Sequence, residues 1–262
     1  MICPMKRTVN LKNILLFYCL IVISGCDLEP SQSEPNANII RDKEGKIIEG
    51  EYTRYSKSGK VASVMNFKNK KLEGWAVKYY EDGVSKRSEL NYSVGLLEGV
   101  QKRYYKSGAL YKEEMYAGDK RNGITKKYRE GGELMSEAMF KDGFPGTDLK
   151  EYLTNGKLKK IYPEIVIEEE DNLRENGTYN IKVFLSDKSQ KVEFYLGELD
   201  EGNYLNDNMQ RQYSQDDGVL TFTIYLERGQ IANGEYNIIA KVITRLNNVY
   251  VITRKHAIRI RF

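Results

Sequence analysis

From about residue 50 to residue 162 the apolar and polar positions recur with one period. Apolar residues stand two places after a set of glycines, at Val61, Leu110, Leu134 and Leu158, with Ser85 breaking the series. Aromatic residues follow the same glycines by eight or nine places, at Phe67, Tyr92, Tyr116 and Phe140. The glycines are Gly59, Gly83, Gly108, Gly132 and Gly156, and a tyrosine precedes each by four places: Tyr55, Tyr79, Tyr104, Tyr128 and Tyr152. A second series, Gly50, Gly74, Gly99, Gly123 and Gly146, runs beside the first at spacings of 23 to 25 residues. The offsets place most of these side chains on one face of a strand, because strand side chains alternate with period two. Ser58-Gly59, Asp82-Gly83, Ser107-Gly108, Gly131-Gly132 and Asn155-Gly156 suit tight turns, since glycine takes φ > 0 without a Cβ clash. Asn-Gly and Asp-Gly fit the two-residue turns of hairpins. Each unit of about 24 residues therefore reads as a β-hairpin. A lone hairpin is marginal in water, so the units are expected to stack. The prediction is an extended antiparallel sheet in which the tyrosines pack between adjacent hairpins. Asp42 to Gly50 reads as a shortened end unit.

Pro163 ends the period. The remaining residues alternate in short runs: Ile165-Val166-Ile167, Tyr179 to Leu185, Val192 to Leu196, Val219 to Leu226, Tyr236 to Ile243 and Val249 to Ile260. Turn signals separate them, among them Asn176-Gly177, Asp217-Gly218 and Asn247-Asn248. Some seven short strands in a hundred residues predict a β-sandwich. Asn233 to Ala240 resembles the start of a late strand in an immunoglobulin-like domain. No amphipathic helix is read anywhere beyond the N-terminal segment. The fold class is all-β: a hairpin-repeat array followed by an immunoglobulin-like sandwich.

The unit pattern Gly-x4-Tyr-x3-Gly-x-Leu-x5-aromatic resembles the bacterial MORN-repeat variant, with Glu98 to Leu110 as its closest copy. The resemblance covers residues 40–162. It implies an architecture defined by repeats, with no catalytic residues of its own. It also implies the company in which such repeats are described, envelope lipoproteins and antitoxin-like proteins.

The N-terminus reads as a targeting segment. Lys6, Arg7 and Lys12 precede an apolar stretch from Ile14 to Ile23, too short for a transmembrane helix. Ile23-Ser24-Gly25-Cys26 resembles a lipobox, which implies cleavage before Cys26 and acylation of its sulfur. The expected organisation is a signal peptide at 1–25, a lipidated tether at 26–39, the repeat domain at 40–162 and the sandwich at 163–262. Cleavage removes Cys3 and Cys19, leaving no partner for a disulfide or a thiolate metal site. The signal holds three basic residues and no acids, so the formal charge falls from +4 to +1.

Charge is spread unevenly: 26 Lys/Arg against 18 Asp/Glu in residues 40–162, and 12 against 16 in residues 163–262. Most of the lysines are read as solubilising an exposed sheet and blunting its edges. The lone histidine, His256, reads as a surface strand residue, with no second histidine or cysteine for zinc or nucleophilic chemistry. Glu168-Glu169-Glu170-Asp171 reads as a solvated charge run, and Asp200, Glu201, Asp207, Asp216 and Asp217 lack the spacing of a known calcium loop. No cofactor or metal is expected. Trp75, the only tryptophan, and Tyr80 and Tyr105, read on the opposite face from Tyr79 and Tyr104, are the candidate binding surface. The expected function is a non-enzymatic binding or scaffolding module of the envelope. Its partners are the membrane, through the lipid anchor, and another protein. The alternatives are an immunity or antitoxin-like role and a glycan-binding accessory role. Nucleic acid is excluded by the location outside the cytoplasm.

Overall fold

A computed structural model describes residues 39–214 and 217–262. Ile23, Ser24, Gly25 and Cys26 lie outside the described residues, as does Asp216. Eight strands form the body of the array: β1 (Ile47–Tyr55), β2 (Val61–Lys68), β3 (Gly74–Tyr79), β4 (Lys86–Ser93), β5 (Gly99–Tyr104), β6 (Leu110–Ala117), β7 (Lys120–Tyr128) and β8 (Leu134–Lys141). Two-residue strands at Ile40–Arg41, Lys71–Leu72, Leu96–Leu97, Phe144–Pro145 and Lys150–Glu151 complete, among the described residues, one 13-stranded antiparallel sheet.

The two rims of this sheet turn differently, and here the sequence expectation needs correction. The loops at Gly59, Gly108 and Gly132 are not two-residue turns. Gly59 N–H donates to Ser56 O at 3.0 Å and Ser56 N–H to Lys60 O at 2.8 Å, a type I turn followed by a left-handed glycine and a bulge. The two-residue turns lie on the other rim, at Asn69-Lys70, Val94-Gly95, Gly118-Asp119 and Asp142-Gly143. Both residues of each pair have positive φ there, as type I′ requires. Ser85 breaks the apolar series because the Gly83 turn is one residue longer: Tyr80 N–H reaches Ser85 O, and the added Val84 is exposed.

The other glycine series, Gly146 apart, stands where the backbone is left-handed. Gly50, Gly74, Gly99 and Gly123 lie directly opposite Phe67, Tyr92, Tyr116 and Phe140 across the strand pairs. Their φ values run from +70° to +113°, and the register to the preceding strand slips beside Gly123. Such bulges twist a sheet locally.

The C-terminal part contains β9 (Ile165–Asn172), α1 (Leu173–Asn176), β10 (Thr178–Leu185), β11 (Val192–Leu196), β12 (Gln210–Gln212), β13 (Leu220–Tyr225), β14 (Ile231–Ile243) and β15 (Val249–Arg261). The sheets β9-β10-β13 and β12-β11-β14-β15 have the strand order of an immunoglobulin-like Greek key. Ile181, Val183, Leu185, Phe194, Ile238 and Ala240 fill the space between them. The sequence did not anticipate α1 or β12, neither of which carries an apolar alternation. Ile239 and Val251 point away from that core yet are 0% and 2% exposed. They pack with Leu205 in a second cluster that Phe144, from the last hairpin of the array, joins. β14 and β15 are thus apolar on both faces, which explains the unbroken run Ile238-Ile239-Ala240.

Candidate functional site

The array leaves two broad faces, and its framework residues define them. Gly59, Gly83, Gly108, Gly132 and Gly156 all stand at φ between +75° and +94°. The tyrosines four places earlier are half-buried, and three of them reach the neighbouring hairpin through their hydroxyls. Tyr104 donates to Glu89 at 2.5 Å, Tyr128 to Glu113 at 3.2 Å and Tyr152 to Glu137 at 3.2 Å. Burial, then the adjacent Glu89 carboxylate, raises the Tyr104 hydroxyl far above its usual pKa. Tyr55 and Tyr79 occupy the same register in the first two hairpins.

Tyr80 and Tyr105, read as binding candidates, direct their hydroxyls into the array. Their hydroxyls donate to the backbone carbonyls of Tyr104 (2.6 Å) and Tyr128 (2.9 Å), and Arg129 does the same to Tyr152 (2.8 Å). Tyr105 also packs edge-on against Tyr111, with centroids 5.1 Å apart. The opposite rim is stitched by backbone bonds from Lys70, Gly95, Asp119 and Gly143 to the preceding unit.

Trp75 keeps its place as a surface residue, 48% exposed. Val100 and Ile124 hold the same position in their units, one place after the repeat glycine, and Met115 lies opposite Val100. All three are exposed as well, so one face carries an apolar stripe.

The other face is basic. Arg54, Lys78, Arg103 and Lys127 each stand four places after a repeat glycine and three after the stripe position, which turns them to the opposite side. Arg54 is paired across the sheet with Ser63, and Ser63 in turn with Lys78. Lys78 pairs with Ser88, and Ser88 with Arg103. The row continues through Lys112, Lys127 and Ser136 to Glu151. Direct cross-strand partners share a face, so these residues form a single unbroken line across the sheet.

The sandwich covers one end of this row. The loop between β14 and β15 lies over it: Lys127 Nζ donates to the carbonyls of Leu246 and Asn247 at 3.1 and 2.8 Å. Ser136 donates to Asn248 Oδ1 at 3.2 Å, and Asn248 donates to Glu151 at 2.8 Å. Glu151, 1% exposed, also accepts from Thr244 and pairs with Lys159 at 2.9 Å. Burial pushes its carboxyl up, but the bonds from Thr244, Lys159 and Asn248 outweigh that and hold it below the usual range. Lys127, 5% exposed and without an ion-pair partner among the described residues, is pulled down to about 8 by burial.

The sandwich holds the remaining candidates. His256 is not a surface residue as expected. Its side chain is half-buried and pairs with Glu169 at 2.9 Å, joining the two sheets. It lies beside a cavity of about 400 Å³ lined by Ile181, Phe222, Ile224, Tyr236 and Ile238. Within the carboxylate run, Glu169 is paired with His256 and Glu170 with Lys182. Asp200 and Glu201 both pair with Lys141 of the array, at 2.9 and 2.8 Å. No group of three or more metal-ligating side chains occurs among the described residues.

Three segments, residues 48–69, 97–117 and 121–142, match the family described as MORN repeat variant. The unit that does not match, between residues 70 and 96, contains the lengthened turn after Gly83. No curated protein and no solved structure matches the chain.

Proposed function

We propose that this chain is a non-enzymatic, lipid-anchored binding module of the cell envelope, tethered through Cys26, whose repeat array holds a protein partner. Repeats of the matched type are protein- and membrane-contact modules, consistent with a scaffolding role. The observation that carries the reading is the stripe of Trp75, Val100, Met115 and Ile124. Large apolar side chains recur there in one register and remain exposed, with Lys102, Lys126, Glu113 and Glu137 beside them. Exposed apolar side chains within a polar rim mark a contact surface. The lipobox-like Ile23-Ser24-Gly25-Cys26 supports the tether.

The test is a photo-crosslinking amino acid placed in turn at Trp75, Val100 and Ile124 in the full chain, in its own cells. The expected outcome is the same crosslinked protein from all three positions and none from the turn residue Lys57. Crosslinks confined to lipid, or a different product at each position, overturn the reading. In parallel, Cys26→Ala is expected to abolish labelling by a palmitate analogue, and retained labelling would refute the anchor.

A further inference from the structure

The basic row lies on the face opposite the apolar stripe, and its two ends differ. At the sandwich end the chain fills it with its own loop, whose carbonyls and one amide side chain meet Lys127 and Ser136. At the other end the cations are open. Among the described residues Arg54 and Lys78 have no carboxylate partner and both are exposed, while Arg103 has only Glu114 at 3.8 Å. Between Arg54 and Lys78 the Ser63 hydroxyl is buried with no hydrogen-bond partner among the described residues.

We propose that the open stretch of the row, at Arg54, Lys78 and Arg103, binds an extended acidic segment of a partner protein. The inference goes beyond the reading above by assigning a second surface and its ligand chemistry. The occupied end shows what the row accepts: a polypeptide lying across the strands and presenting oxygen acceptors to the cations. Three exposed cations in line call for carboxylates, because charge-assisted bonds to Arg and Lys are about twice as strong as neutral ones. The spacing narrows the partner further. Strands lie about 4.8 Å apart, so cations on alternate strands recur about every 9.6 Å. A chain in the polyproline II conformation returns to the same face every three residues, about 9.3 Å. The fitting segment therefore carries an acidic residue at every third position. A bilayer is a poorer match, since the buried Ser63 lies at the floor of a line one side chain wide.

The probe is a labelled (Glu-Pro-Pro)4 peptide titrated with the full chain by fluorescence anisotropy. The expected result is saturable binding that weakens at least tenfold in Arg54→Glu/Lys78→Glu, and severalfold as added salt screens the contact. The exposed-turn control Lys43→Glu/Lys57→Glu should bind as the parent does. A peptide with the same glutamates in adjacent pairs should bind at least threefold more weakly. If the charge reversal lowers the unfolding midpoint, Arg54→Gln/Lys78→Gln takes its place, with the same ordering expected. No binding, equal weakening by the control pair, or indifference to glutamate spacing would overturn the proposal. So would vesicles of anionic lipid that bind the parent and not the row variant while the peptide binds neither. Crosslinking at Trp75, on the opposite face, is expected to be unaffected by these substitutions, so failure here leaves the stripe reading standing and the reverse also holds.

Discussion

Lys127 occupies the position that Arg54, Lys78 and Arg103 hold in earlier units, yet it alone is covered by the sandwich loop. Two neutral carbonyls face it in place of a carboxylate, so burial favours its uncharged form. Its folded-state pKa of about 8 lies below the ordinary 10.5. Between those values the unfolded chain binds more protons than the folded one, so stability rises with pH across that window. Below about pH 8 both states are charged and the full cost of the buried ammonium persists. Urea unfolding from pH 7.5 to 9.5 is expected to show the rise, and Lys127→Met to flatten it. An unchanged slope in the variant would show that this ammonium is not the source. The window closes near pH 10, where the tyrosines begin to act in the opposite sense. Their folded pKa values are raised, as at Tyr104, Tyr128 and Tyr152, so their contribution is lost at higher pH.

At the scale of the hairpin, the two kinds of turn explain what was legible beforehand. Glycine at the end of a Ser-Gly, Asp-Gly or Asn-Gly pair fits either a two-residue turn or the last residue of a type I turn with a bulge. The dipeptides alone therefore do not choose. The type I′ turns carry Asn69-Lys70 and Val94-Gly95, pairs whose backbone is imposed by strand register more than by intrinsic preference. The recurrence of a basic residue before four of the five framework tyrosines, with Glu151 before the fifth, was visible in the sequence. It passed for surface charge because cross-strand alignment, which depends on the bulges, was not. The sandwich strands were legible from alternation, whereas β12 (Gln-Arg-Gln) has no apolar pattern to read. The turns also yield a prediction. Gly108 has φ of +91° and open space where a Cβ would stand, so Gly108→Ala should cost only backbone strain, about 1–2 kcal/mol. At Gly83 the new Cβ would lie 2.8 Å from Lys60 Cβ and 3.1 Å from Val61 N, at the end of the preceding turn on the same rim. Gly83→Ala is expected to lower the unfolding midpoint clearly more than Gly108→Ala, and equal shifts would refute turn-to-turn packing.

Over the whole molecule, two modes of cohesion meet at Glu151. The sandwich has a closed apolar core. The buried side chains of the array are mostly small or polar, such as Ser63, Ser88, Gln101, Glu114 and Thr125, and hydrogen bonds link its units. Glu151 is where the sandwich loop closes the array. Glu151→Ala strands Lys159, Thr244 and Asn248 together, and removing one partner of a buried network costs about 3 kcal/mol or more. Denaturant unfolding is expected to show that loss, with Asn248→Ala giving a smaller one. A change within error for Glu151→Ala would mean the loop merely rests on the array. The order of the strands has one more consequence, a mechanical one. Because the units lie side by side, their hydrogen bonds point along the line joining the N-terminal end to the sandwich. A pull applied between the two ends of the array would load those bonds one rung at a time, as a zipper is opened. Each yielding unit releases some 24 residues, about 80 Å of chain. Such an array is expected to lengthen in steps under tension, and a force-extension trace with increments of about that length would show it.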